Sequence, residues 1–137
     1  MDAADLRRRV ADSSIAELAT VSQDGRPHVV PICFALDGRN VYFAVDHKPK
    51  RTQDLKRLRN IAANPRVAVL VHHYEHDWNR LWWVRIDGVA HVMEPGDDAE
   101  RAVALLRDRY PQYRDRPPDG PVVAIAIERM TGWSATP

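Results

Sequence analysis

Cysteine is almost absent: Cys33 is the one thiol, and it lies inside an apolar run. A disulfide within the chain and a cysteine-built zinc site are both excluded. No stretch reaches the roughly 18 apolar residues that a membrane span requires. The opening MDAADLRRRVADSS lacks the apolar centre of a secretory signal. A soluble, cytoplasmic protein is the expectation. A surplus of one charge is missing as well, since 20 Lys and Arg face 19 Asp and Glu for a net charge of +1. Bulk charge gives no pointer to nucleic acid. Missing too are a glycine-rich phosphate loop, a dinucleotide fingerprint and a Ser-His-Asp order. No repeat or low-complexity tract interrupts the 137 residues, which are read as one domain, 1–137.

What is present is mostly strand. A short amphipathic helix over 3–13, with Leu6 and Val10 inward, leads into a strand over 15–21. Asp24-Gly25 and Asp37-Gly38 are hairpin signals. They frame a return strand over 28–36 and a third strand over 41–45, an antiparallel meander whose second and third strands are apolar on both faces. Such strands are expected to be covered on both sides. Pro31 sits within the return strand and marks it as an edge or a bulge. A buried strand over 67–72 follows, then a histidine-rich loop, then a long strand over 81–93 in which Gly88 signals a bulge. A helix over 97–110 and a proline-rich loop over 111–120 precede a last strand over 121–130. The sum is mainly β: six strands, mostly antiparallel, with two to three peripheral helices, a small closed or split β-barrel.

The stretch DHKPKRTQDLKRLRNIAANPR, residues 46–66, is a basic loop that runs into a short helix stopped by Asn64-Pro65. His47, Lys48, Lys50 and Arg51 crowd its start, where a helix prefers acids. The helix over 97–110 obeys the rule, with Asp97, Asp98 and Glu100 first and Arg107 and Arg109 last. The basic start reads either as a solvated surface or as a seat for an anion such as phosphate. No aromatic residue lies between His47 and Arg66, which argues against single-stranded nucleic acid.

His72, His73 and His76, with Glu75 and Asp77, raise a metal site. Successive strand positions send His72 and His73 to opposite faces, so a polar loop is the simpler reading. Cys33 has no neighbouring cation and reads as a buried, inert thiol. Trp82 and Trp83 fall on opposite faces of one strand, so one of them must cover a partner subunit or a flat ligand.

Leu18-Ala19-Thr20-Val21, Asp24-Gly25-Arg26-Pro27 and Val30-Pro31-Ile32-Cys33-Phe34 resemble the opening of the pyridoxamine 5'-phosphate oxidase-like split-barrel flavoproteins. Asn60-Ile61-Ala62-Ala63-Asn64-Pro65-Arg66-Val67 fits the same superfamily. The tract from Asp77 to Arg85, DWNRLWWVR, resembles the actinobacterial branch of F420-dependent enzymes within it.

The resemblance implies a homodimer with cofactor sites at the subunit interface and a small-molecule substrate. Phosphate would fall to Lys56 and Arg57 or, with a longer loop, to Lys50, Arg51 and Thr52. The ring would lie along Val30, Pro31, Ile32 and Cys33 and along Phe43, Ala44 and Val45. Trp82, Trp83 and Arg85 would touch ring or substrate from the partner subunit. No catalytic acid is assigned; the candidates are His72, His73 and Tyr74. Flavin mononucleotide (FMN) oxidases of the superfamily carry an arginine and a lysine on strand two, where this chain has apolar residues around Val30 to Phe34. That tilts the cofactor from FMN toward F420, a deazaflavin. The expected activity is reduction of a small organic acceptor with reduced F420. The alternatives are an FMN oxidase or reductase of the same fold and a non-catalytic dimer that binds F420 or haem.

Overall fold

The structure, a computed structural model, describes residues 1–45 and 55–137. Helix α1 (Ala3–Asp12) starts in a reciprocal cap: Asp2 accepts from the Asp5 N–H, and Asp5 accepts from the Asp2 N–H. Its Leu6 and Val10 are buried, as their spacing requires. Strands β1 (Ala16–Val21) and β2 (Pro27–Ile32) form the first hairpin. Strands β3 (Ala35–Asp37) and β4 (Asn40–Ala44) form the second. Gly25 (φ 87°) and Gly38 (φ 57°) supply the left-handed turn residues that the two Asp-Gly pairs announced. Then come α2 (Lys56–Ala63), β5 (Arg66–His73), a 3-10 turn at Trp78–Arg80, β6 (Trp82–Val92), α3 (Asp97–Arg109), α4 (Pro111–Asp115) and β7 (Val122–Ser134).

The strands make one curled antiparallel sheet in the order β2-β1-β5-β6-β7-β4-β3. Seven strands stand where six were expected, because the return strand is two. The chain breaks its ladder at Cys33-Phe34 and passes from one rim of the sheet to the other. The expected meander is therefore two hairpins at opposite rims. β2 is an edge strand, which is where Pro31 belongs. The β6–β7 register shifts between Asp87 and Gly88, the bulge that Gly88 signalled. Pro111 opens α4, a short helix inside what reads as a proline-rich loop, and β7 runs four residues past its expected end.

The inward face buries Leu18, Ile32, Val41, Phe43, Val69, Val71, Val84, Ile86, Val123 and Ile125, with α1 adding Leu6 and Val10. A second cluster lies on the outside of the β3-β4-β7 end, where Ala102, Leu106, Tyr110 and Tyr113 of the α3-α4 region pack on Ala35, Ala44 and Val122. Cover on both faces thus holds at that end. It does not hold for β2: Pro27, Val29 and Pro31 point outward and are exposed within one chain, because α3 and α4 reach only the opposite rim.

Candidate functional site

Two places gather the residues that the sequence singled out. The first is the start of α2. Its N-cap, Leu55, makes no side-chain hydrogen bond, and its first turn holds no acid; Lys56 and Arg57 stand there instead. A positive helix end with two cations in its first turn and no side-chain cap is a place that favours an anion. Asn60 fixes this helix to the barrel, because its buried side-chain amide donates to the Thr20 hydroxyl at 2.9 Å. Lys56 faces the β1–β2 turn. There the Ser22 hydroxyl holds the Asp24 carboxyl below the usual range, with the backbone of Asp24 and Arg26 and the charge of Lys56 adding to the effect. Lys50, Arg51 and Thr52 lie outside the described residues.

The second place is the outward face of the sheet. Register aligns three rows across it. Pro31, Glu17, Leu70, Arg85 and Thr131 form one row over five strands. Val29, Ala19, Ala68, Asp87 and Arg129 form the next, and His72, Trp83 and Trp133 a third. Leu70, His72, Tyr74, Trp83 and Arg85 line an open concavity of about 490 Å³. The His72 and Tyr74 rings meet edge to face, with centroids 6.1 Å apart. Each nitrogen donor on this floor has a carboxylate beside it: His72 Nε2 is 3.9 Å from Glu17 Oε1, and Arg85 Nε is 3.4 Å from Asp87 Oδ1. Val29 is 62% exposed, Tyr74 60% and Trp133 43%, an unusual apolar display for a sheet face.

The structure thus brings Pro31, Trp83 and Arg85 onto one surface. Trp82 goes the other way: it packs against the inner core with the Arg9 guanidinium 4.9 Å above its ring. One indole of the pair is inside and one outside, as strand alternation demands. Val30 and Ile32 face inward with Leu18 and Ala16, Phe43 and Val45 are buried, and Cys33 and Ala44 lie against the α3-α4 cluster. Those side chains pack into the two cores, which leaves the backbone of this stretch to meet a ring. His73 turns away from His72 and contacts Glu75, which Arg80 Nε also approaches at 3.5 Å. Among the described residues no three His, Cys, Asp or Glu side chains converge as metal ligands. Among them, too, no helix is long and apolar enough to cross a membrane.

Glu17 and Trp133 belong to this surface and escaped the sequence reading. Glu17 is the one charged residue in a strand of mostly apolar residues, which was the available signal. Trp133 lies beyond the expected end of the last strand.

A family model described as pyridoxamine 5'-phosphate oxidase matches residues 3–134. The chain belongs to that family. Solved structures share the fold of this family member. A conserved hypothetical protein from Mycobacterium tuberculosis is 22% identical with a TM-score of 0.81, covering 98% of this chain and 86% of that one. The haem storage protein of Vibrio cholerae is 18% identical with a TM-score of 0.74, covering 96% and 93%. The FAD binding protein of Mycobacterium smegmatis is 19% identical with a TM-score of 0.70, covering 97% and 94%. At such identities the likeness is one of fold. No curated protein matches the chain.

Proposed function

We propose that this member of the pyridoxamine 5'-phosphate oxidase family is a cytoplasmic homodimer that binds F420 between its subunits and reduces a small organic acceptor. The observation that carries the reading is the start of α2, where Lys56 and Arg57 open a helix that has neither an acid nor a capping side chain in its first turn. Those residues would hold the cofactor's phosphate, with Lys50, Arg51 and Thr52 as further candidates. Two buried or half-buried apolar residues, Phe34 and Val30, occupy the stretch where FMN oxidases of the superfamily carry cations. That favours the deazaflavin over FMN. The bare outward face of β2, β1, β5 and β6 is the surface we assign to the second subunit, and Trp83 and Arg85 lie on it. When bound, the cofactor supplies a hydride; the chain's part is to bind, orient and exclude water.

Flavin in the same cleft is the second reading, favoured by the FAD-binding protein among the structures of this fold. Haem is the third, from the haem storage protein. One experiment separates them. The purified protein is titrated with oxidised F420 and FMN, read by fluorescence, and with haemin, read by absorption. Micromolar or tighter binding of F420 alone, weakened at least tenfold in the Lys56→Ala/Arg57→Ala variant, supports the proposal. Preference for FMN or haemin replaces it with the corresponding alternative, and binding of none of them refutes all three.

A further inference from the structure

We propose that the groove between α3 and the chain entering β7 is a second binding site. Its ligand is an extended zwitterion: an apolar middle with an ammonium and a carboxylate group about 10 Å apart. None of the lining residues belongs to the concavity on β5 and β6 or to the start of α2, so the site stands whichever cofactor the protein binds. The groove encloses about 500 Å³, within the roughly 300–1,000 Å³ of small-molecule sites. One wall is a stripe of α3 whose Ala99, Val103 and Ala104 are too short to fill the space. The other wall sets Met93 and Pro95 beside Pro121 and Val122. That wall is fixed by backbone bonds. The Met93 N–H donates to the Val122 carbonyl oxygen at 2.8 Å, and the Val45 N–H to that of Pro121 at 2.9 Å. Gly120 packs so tightly that a Cβ on it would stand 2.7 Å from Val45 Cβ. A wall already held in place spares a ligand the cost of ordering it.

Charge decides the class. Glu100 and Arg107 both line the groove, seven residues apart on the same side of α3, about 10.5 Å along its axis. Among the described residues neither has an ion-pair partner. Arg107 reaches only the Arg114 carbonyl oxygen, at 3.4 Å. Asp119, the third charged residue of the lining, already has a partner. A ligand with one charge leaves one end of the groove unmet. A ligand with both, at matching separation, meets an opposite charge at each end and lays its middle over Ala99, Val103 and Met93. An amino-terminated hydrocarbon acid has this form. So has an apolar tripeptide, which spans about 10 Å at roughly 3.3–3.6 Å per residue.

Titration of the full chain without cofactor, read by the NMR amide shifts of α3, tests the class. The probes are ω-aminooctanoate, its two single-charge relatives octanoate and octylamine, the shorter γ-aminobutyrate, and trivaline. Saturable binding of ω-aminooctanoate with a Kd of about 1 mM or tighter is expected. It should exceed that of octanoate, octylamine and γ-aminobutyrate at least threefold, since each exposed charge pair contributes modestly. Glu100→Gln should erase the advantage over octanoate, and Arg107→Gln the advantage over octylamine. Ala104→Trp, at an exposed helix position, fills the groove and should abolish the shifts from every probe; circular dichroism confirms that each variant is folded. Trivaline separates the two sources of this chemistry: tighter binding than ω-aminooctanoate supports the site as a peptide seat, weaker binding as a seat for hydrocarbon amino acids. A single-charge or shortened probe that binds as tightly as ω-aminooctanoate would overturn the proposal. So would an advantage that survives both charge substitutions, shifts that survive Ala104→Trp, or no binding of ω-aminooctanoate.

Discussion

The phenol oxygen of Tyr110 lies 2.9 Å from both the amide nitrogen and the carbonyl oxygen of Phe34. It is also 2.8 Å from the Ser14 carbonyl oxygen. The Phe34 N–H donates to the phenol, whose own proton is shared between the two carbonyls. Phe34 is where the return strand leaves one rim of the sheet for the other, so its backbone has no ladder partner there. A side chain 76 positions away replaces the missing strand.

Tyr110→Phe should therefore destabilise the fold by about 1–3 kcal/mol, the cost of leaving buried backbone groups unsatisfied. Urea denaturation measures it, and a midpoint equal to wild type would refute the role. Burial raises the Tyr110 phenol above its usual value, outweighing the Phe34 hydrogen bond and the Arg109 charge that pull it down. A folded-state value above the unfolded one gives stability that is complete below about pH 10 and is lost as pH rises through the folded value. The gap in stability between wild type and Tyr110→Phe should narrow across that alkaline range.

The Asn60–Thr20 pair should show strong coupling. Both residues are almost fully buried, at 3% and 1% exposure, and each satisfies the other. Thr20→Val or Asn60→Leu alone strands one polar group and should cost about 1–3 kcal/mol. The double variant should cost clearly less than the sum of the two. A double-mutant cycle showing simple additivity would sink this account of how α2 is held.

Gly88→Ala should be poorly tolerated. A Cβ at Gly88 would stand 2.5 Å from the Ala126 carbonyl oxygen and 2.8 Å from Ile125 Cγ2, and a backbone atom cannot swing aside. A loss of about 1–3 kcal/mol is expected. Thermal unfolding reads it; an unchanged midpoint would show that the β6–β7 bulge opens freely.

Val29→Lys should turn the proposed dimer into a monomer without unfolding it. Val29 lies on the outward face opposite Ala19, and the described residues of one chain leave it 62% exposed. A lysine there costs the monomer little but would be buried between two outer faces. Light scattering with circular dichroism gives the answer; a variant of unchanged mass would remove this face from the interface.

The local signals were legible wherever a few adjacent residues decide the structure. Asp24-Gly25 and Asp37-Gly38 announced their turns, Gly88 its bulge, Pro31 its edge, and the acid-first, base-last sequence of α3 its direction. The break at Cys33-Phe34 was not legible. The Phe34 backbone finds its partner there in Tyr110, far away in the sequence, and residues 28–36 read as one unbroken apolar strand. The outer surface was half legible. Alternation separated Trp82 from Trp83, but which of them faces out depends on α1, whose Arg9 covers Trp82. Glu17 meets His72 only through the β1–β5 register, and no spacing in the sequence encodes that.

The two rims of the sheet set how copies of the chain can accumulate. Growth into a fibre by adding strand to strand needs a long bare rim with regularly spaced N–H donors. Here one rim, β2, has Pro27 and Pro31 among its six residues, and the other, β3, is only three residues long. Neither is a template for polymerisation. The surface proposed to pair is a face, and two faces that pair leave nothing over for a third copy. A chain that displays this much apolar surface can thus be abundant and still stop at a finite assembly.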